Sequence, residues 1–342
     1  MLLNRQILNP SGDEDVLDLF NAAGRLMLVL GEPGSGKTTL LLDLTRSLLA
    51  QAEANINQPI PVVLNLSTWS ERRLPFIDWL VREMSAQYRL GRSDCRSWIK
   101  GQCPLFLLLD GLDEVKPVAA RVACVEAINA FCRNISVPGI VVTCRQNEYE
   151  SLQTTLALIA EIHLQSLTTV QIESFVAEIG PGLDRLAVTL REDNELLALA
   201  RSPLLLSVMS VAYENRDIAD IHERDFIADK KTLRERVFTT YVERMFEGKN
   251  QSVRPYTIEQ FTHWLIWLTR KMRDQHKMIF RIEELQPNWL STNSLRWTYA
   301  LLSRLAAGIV VGIVFGVVAV LNGGLPFMFL VDLLPKNTTK IT

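Results

Sequence analysis

A loop almost bare of side chains interrupts an apolar run near the start of the chain: LMLVLGEPGSGKTTLLLDL, from Leu26 to Leu44. Gly31, Gly36, Lys37 and Thr38 stand in the register G-x-x-x-x-G-K-[ST], the phosphate-binding loop pattern. Both flanks suit it. Leu26 to Leu30 is a short run of the kind that forms a buried parallel strand, and the leucine-dense stretch from Thr38 reads as a helix. Glycines let the backbone take positive φ and come close to a ligand, which turns N–H groups toward phosphate oxygens at the positive end of a helix. Lys37 is then placed to reach the β- and γ-phosphates, and the Thr38 hydroxyl to ligate Mg²⁺. A glycine-rich turn with an accidental lysine is the alternative, and the strand–loop–helix context weighs against it.

The rest of the first half repeats the alternation of apolar runs and helical periods that marks a parallel α/β sheet. IPVVLNL from Ile60 to Leu66, LFLLLD from Leu105 to Asp110 and GIVVTCR from Gly139 to Arg145 read as strands, with a weaker fifth, AEIHLQSL, from Ala160 to Leu167. Amphipathic segments such as FIDWLVREMSAQY and ARVACVEAINAFCRNI lie between them. After residue 165 helix follows helix. SLTTVQIESFVAEIG has a capping signature in Thr168 and Thr169, with Glu173 read in the first turn; Pro203 interrupts the next apolar run. Asn215 to Lys231 reads as a solvated charged connection, and TIEQFTHWLIWLTRKMRDQ carries Trp264, Leu265, Leu268 and Met272 on one face.

A bound triphosphate also needs a metal anchor and a way to activate water. LFLLLDGLDEV offers both. Asp110 closes an apolar strand, where such an enzyme places the Mg²⁺ carboxylate, and Gly111 leaves room beside the metal. Asp113 and Glu114 follow, and one of them is the candidate base or water-orienting group. A solvated acidic loop is the alternative. Arg145 ends the IVVTC strand, at the carboxyl edge of the sheet where ligands bind, and its permanently charged guanidinium can report a γ-phosphate. A surface pairing of Arg145 with Glu148 is the rival reading. Pro203 either sets a flat apolar edge against a base or ends one helix and begins another. No residue reads the base, so ATP and GTP stay alternatives.

In composition the chain of 342 residues is 48% hydrophobic and 22% charged, enough for two or three domains. A net charge of −2 gives no excess of basic residues, so no nucleic-acid partner is indicated. The five cysteines show neither C-x-x-C nor a histidine at metal-ligand spacing and are expected to be reduced thiols. The N-terminus lacks the long apolar segment of a signal peptide. Near the other end, Leu305 to Val331 carries no formal charge and includes LAAGIVVGIVFGVVAVL, long enough to cross a membrane, with the helix expected to end near Leu321. Gly308, Gly312 and Gly316 form a repeated G-x-x-x-G ridge that lets a second helix approach in lipid. Arg296 and Arg304 precede the span, as the positive-inside tendency prefers for a cytoplasmic nucleotide domain, although Lys336 and Lys340 weaken that bias. A buried core segment is the alternative.

GEPGSGKTT, LLLDGLDEV, VVTCR and SPLLL, in this order, resemble the NACHT family of signal-transduction NTPases within the larger STAND group, and most closely its bacterial members. The likeness runs over roughly residues 20 to 295, and PVVLNLSTW, YVERMF and IEELQPNWL add to it. The resemblance implies an α/β fold: a parallel-sheet P-loop NTPase domain, then helical and winged-helix-like domains, closed around ADP and opened by ATP for self-association. It makes Gly31, Glu32, Pro33, Gly34, Ser35, Gly36, Lys37, Thr38 and Thr39 the phosphate loop, with Thr38 and Asp110 at Mg²⁺. It likewise makes Asp113 and Glu114 the hydrolytic acids, Arg145 the sensor and Pro203 the adenine-side contact. Many members also place a winged-helix histidine on the nucleotide phosphate. Around MIFRIEELQ there is none, since His263 and His276 lie upstream, so the closed-state lock is not implied here.

The expected layout is a lead-in over 1–22, the nucleotide-binding domain over 23–165, a small helical domain over 166–215, a winged-helix-like domain over 216–295 and a membrane helix with tail over 296–342. Starting shortly before its first expected strand and ending soon after one apolar segment, the chain reads as a short or truncated form. The expected function is a membrane-tethered, nucleotide-dependent switch that hydrolyses slowly and forms a homo-oligomer on activation, with its effector unidentified. A cycling AAA-like motor and a non-hydrolysing nucleotide-binding scaffold are the alternatives.

Overall fold

The computed structural model describes residues 6–8, 15–69, 74–214, 232–246, 256–274, 280 and 293–321. Its first part runs β1 (Gln6–Leu8), α1 (Val16–Ala22), β2 (Leu26–Gly31), α2 (Lys37–Ala54), β3 (Ile60–Asn65), α3 (Phe76–Tyr88), α4 (Arg92–Ser97) and β4 (Leu105–Asp110). It continues with α5 (Val118–Asn134), β5 (Gly139–Arg145), α6 (Gln146–Glu150) and β6 (Ala160–Leu164). The strands form one sheet in the order β1-β6-β2-β5-β4-β3, with every pair parallel.

That order decides which face each helix covers. The connections β1→β2 and β2→β3 travel toward the β3 edge, whereas β3→β4, β4→β5 and β5→β6 travel back. Parallel crossovers are right-handed, so the two directions of travel put their helices on opposite faces. Accordingly Val16, Leu19 and Phe20 of α1 and Leu41, Leu44 and Leu48 of α2 pack with Met27, Val29, Phe106 and Leu108. The opposite face gathers Trp79, Leu80 and Met84 of α3, Cys124, Val125 and Ile128 of α5, and Tyr149 of α6 over Leu28, Leu30, Leu107 and Leu109. Neighbouring residues of each central strand thus serve different cores, which is why the strands read as unbroken apolar runs.

Five strands are expected from sequence, and the described residues contain six. The added one, β1, pairs with β6 from within the stretch taken as a lead-in, and α1 follows it. Two strands also stop early: β3 ends at Asn65 before a tight turn over Leu66–Trp69, and β6 ends at Leu164.

Beyond the sheet come α7 (Thr169–Ile179), α8 (Asp184–Glu192), α9 (Asn194–Ala200), α10 (Pro203–Ala212) and α11 (Leu233–Phe246). They share a core that includes Ile172, Leu186, Leu196, Leu206, Met209 and Val237. Thr168 caps α7 through a reciprocal pair with Gln171, not with Glu173, which lies past the first turn and ion-pairs with Arg191. Pro203 begins α10 at a 114° bend from α9, where its missing N–H costs the helix nothing.

Residues 216–295 were expected to be winged-helix-like. More than half of that region, with the charged connection and all of the MIFRIEELQ segment but Phe280, lies outside the described residues; α11 and α12 (Ile258–Asp274) are the helices described there before the last one. α13 (Asn293–Leu321) starts earlier than the apolar run alone suggested. Within it Ser294–Val318 is long and apolar enough to cross a membrane, with none of it buried. The far part of the apolar run, past Leu321, is outside the described residues.

Candidate active site

The carboxyl ends of β2, β4 and β5 meet where the sheet order reverses, and the chemistry-bearing residues collect there. Gly31 closes β2, and after the loop α2 begins at Lys37 with no side chain capping its first turn. An uncapped N-terminus of this length offers N–H groups and a positive dipole end to an anion. Ser35 Oγ is buried without a hydrogen-bond partner, a second sign that the loop is built around a group with acceptor oxygens. These features fit a phosphate.

Lys37 folds back over its own loop. Its Nζ donates to the carbonyls of Gly31 at 2.8 Å and Glu32 at 2.9 Å, which leaves the third N–H of the ammonium for a phosphate oxygen. Burial lowers its pKa from 10.5, and Arg145 adds to that, while Asp113 and Asp110 oppose it.

Asp110, at the end of β4, accepts from two hydroxyls. Thr38 Oγ1 donates to Oδ2 at 2.9 Å, and the fully buried Thr143 Oγ1 donates to Oδ1 while accepting the Gly111 N–H at 2.9 Å. A hydroxyl and a carboxylate form a small set of hard oxygen donors, and Mg²⁺ takes just such a set when phosphates and water supply the remaining ligands. Among the described residues no cluster of three or more His, Cys, Asp or Glu side chains forms a cage of its own.

The acidic pair divides. Asp113 is almost wholly buried and bound to Arg145, by Nε at 2.8 Å to Oδ2 and by the backbone N–H at 3.2 Å to Oδ1. Glu114 instead accepts from Asn65 Nδ2 at 3.1 Å, and burial raises its pKa above 4.5. Asn65 stands opposite Asp110 in the β3–β4 register, so the pairing follows from the strand alignment. Gly111 has φ +77°, and a Cβ there would lie 2.9 Å from the Glu114 carboxyl group. The room beside Gly111, expected for a metal, is occupied by Glu114.

Arg145 does not pair with Glu148. That carboxylate is held at 2.6 Å by Nη1 of the buried Arg121 on α5, whose Nη2 donates to the Asp113 carbonyl, also at 2.6 Å. Pro203 is near the loop through its neighbours: Leu204 N–H donates to Gly34 O at 3.2 Å and Ser202 Oγ at 3.4 Å. Gly34 has φ +78°, and a Cβ on it would lie 3.0 Å from both Leu204 Cβ and Ser202 Oγ.

The structure therefore brings Gly31, Gly34, Lys37, Thr38, Asp110, Asp113, Glu114 and Arg145 to one place, and starts α10 beside them. Sequence reasoning missed Asn65, Thr143, Arg121 and Ser202. Thr143 had a signal, as the one hydroxyl within an otherwise apolar strand. So did Arg121, a charge on the same helical stripe as Cys124, Val125 and Ile128.

Residues 25–181 match the NACHT domain family. No curated protein is similar enough to the chain to count as a relative. Among solved structures, the Aeropyrum pernix ORC1 protein in complex with DNA is 18% identical, with 85% of this chain and 81% of that one covered and a TM-score of 0.43. The A. pernix ORC2 protein in ADPNP and ADP complexes is 10% identical, covering 74% and 82%, with a TM-score of 0.36. PCH-2 of C. elegans is 15% identical, covering 68% and 66%, with a TM-score of 0.32. At these values the likeness is one of chain path alone.

Proposed function

Residues 25–181 form a NACHT domain, a P-loop nucleotide-binding NTPase module, and from that premise we propose that the chain is a nucleotide-dependent switch that hydrolyses ATP slowly and self-associates when ATP replaces ADP. The observation that carries this reading is the direct bond from α10 to the phosphate loop, Leu204 N–H to Gly34 O. A helix tied to the loop apex feels any adjustment of that loop on nucleotide exchange. Differential affinity for two arrangements is all a switch requires, and a factor of about 10⁴ between states inverts their populations.

Within the site, the loop amides, Lys37, Thr38 and Thr39 bind the phosphates, and Thr38 and Asp110 hold Mg²⁺. Bound there, the metal supplies charge neutralisation on the phosphate oxygens. Glu114 is the better base of the acidic pair, because Asp113 is committed to Arg145 and because burial moves the Glu114 pKa upward, toward working pH. Arg145 lies beside Lys37 and reports the γ-phosphate, and Pro203 flanks the base. α13, through Leu305 to Leu321, anchors the chain in a membrane with the nucleotide domain on the cytoplasmic side.

Two measurements on the purified full chain test the reading together: the identity of the retained nucleotide and the steady-state hydrolysis rate. Retained ADP with turnover well below about 1 s⁻¹ is expected. Rapid turnover without a partner would make the protein a motor, and binding without any hydrolysis would make it a scaffold.

A further inference from the structure

Among the described residues, Arg121 is a buried cation near the site that neither the phosphate loop nor the acidic pair accounts for. Its side chain is 4% exposed, and it makes two contacts, one to the acidic turn and one to the segment after Arg145. Nη2 donates to the main-chain carbonyl of Asp113, on the turn that carries both acids; Nη1 binds Glu148, on the short helix that begins directly after Arg145. Asp113 in turn grips Arg145 through its side chain and through the Arg145 N–H. The four groups close a ring: Arg121 to Asp113, Asp113 to Arg145, Arg145 along α6 to Glu148, and Glu148 back to Arg121.

We infer that Arg121 is a positioning residue that locks the acidic turn and the Arg145 segment into one unit, so that the chain distinguishes a triphosphate from a diphosphate. The inference rests on the switch reading and deepens it, since it names what sets the aim of Arg145. A planar guanidinium is needed because the two acceptors lie in different directions, and its fixed fork reaches both at once. A lysine has the charge without that fork. Glu148 is 46% exposed, so its charge can be removed without opening the core.

The test compares the affinities of the full chain for ADP and for a non-hydrolysable ATP analogue, each with Mg²⁺, in the wild type and in Arg121→Lys, Arg121→Met and Glu148→Gln, with circular dichroism to establish folding. The wild type is expected to separate the two nucleotides. Arg121→Lys and Arg121→Met should change the analogue-to-ADP affinity ratio by about fivefold or more, with ADP affinity kept within about twofold, and Glu148→Gln should fall between them and the wild type. If Arg121→Met fails to fold, the lysine and Glu148 variants carry the decision. A wild-type ratio restored by lysine would show that charge alone suffices and overturn the inference, as would a ratio unmoved in every folded variant, or a wild type that binds both nucleotides equally. A wild type that bound neither would overturn the switch reading as well, so the two failures are distinguishable.

Discussion

Asp110 accepts one hydroxyl on each carboxylate oxygen, and the hydroxyl from Thr143 has no alternative supplier within the buried strand. Thr143→Val keeps the shape of that side chain but removes the donor to Asp110 and the acceptor for the Gly111 N–H. Leaving a buried polar group unpaired costs about 1–3 kcal/mol, so thermal or denaturant unfolding should show a loss of that size, together with a higher Mg²⁺ requirement for nucleotide binding. Unchanged stability would mean that Thr143 is a passive filler. Glu114 gives a second prediction, in pH. Below 4.5 its carboxyl is protonated in folded and unfolded chains alike; between 4.5 and its raised folded value only the folded chain keeps the proton, so stability falls as pH rises through that window. Glu114→Gln, neutral throughout, should melt higher than the wild type near about pH 7 and no higher near about pH 4, while hydrolysis is lost and binding stays. A variant that melts lower at the higher pH would contradict this. The glycine–lysine loop and the acidic turn were legible as sequence because each is a contiguous spacing. Asn65 was not, because its role depends on strand register; Thr143 and Arg121 stand out locally as polar residues in apolar settings, but their partners depend on register and helix facing.

Among the elements, α10 has the most consequential placement. It opens on Pro203 beside the apex of the phosphate loop and hands its Leu204 N–H, which the first turn of a helix leaves free, to Gly34. Gly34→Ala combines a left-handed backbone with a Cβ pressed on Leu204 and Ser202. It should cost about 1–2 kcal/mol from the backbone alone, more from the crowding, and weaken nucleotide binding, as melting curves and titrations would show. A neutral outcome would mean that the loop and α10 are not in firm contact. Helices are readable from apolar periods and central strands from unbroken apolar runs; of the two roles open for Pro203, the start of a helix is the one described, since α10 begins at it. β1 was not readable: three residues, Gln6–Leu8, are too few to display a period, and pairing with β6 is what makes them a strand. At the α7 cap, Glu173 lies past the first turn, and the capping-box spacing from Thr168 falls on Gln171.

For the whole molecule, the membrane reading depends on α13. Its 29 residues rise about 43 Å, against a hydrocarbon core of about 30 Å, and Trp297, Tyr299 and Arg304 gather toward its N-terminal end, where aromatic and basic side chains anchor a span. Exposed leucine, isoleucine, valine and phenylalanine along its length would be a heavy liability in water. The full chain should therefore float with lipid vesicles and resist alkaline extraction, and a chain ending at Ser303 should do neither; equal behaviour of the two would remove the anchor. The proposed switch turns on a single magnesium-bound nucleotide that would be held between the loop after β2 and the carboxylate that ends β4. Calorimetric titration with ADP and Mg²⁺ of the full chain freed of any retained nucleotide, alongside Lys37→Ala, measures that most directly. One nucleotide per chain with affinity falling about a hundredfold or more in the variant is expected; no uptake by folded wild type, or equal uptake by both, would contradict it.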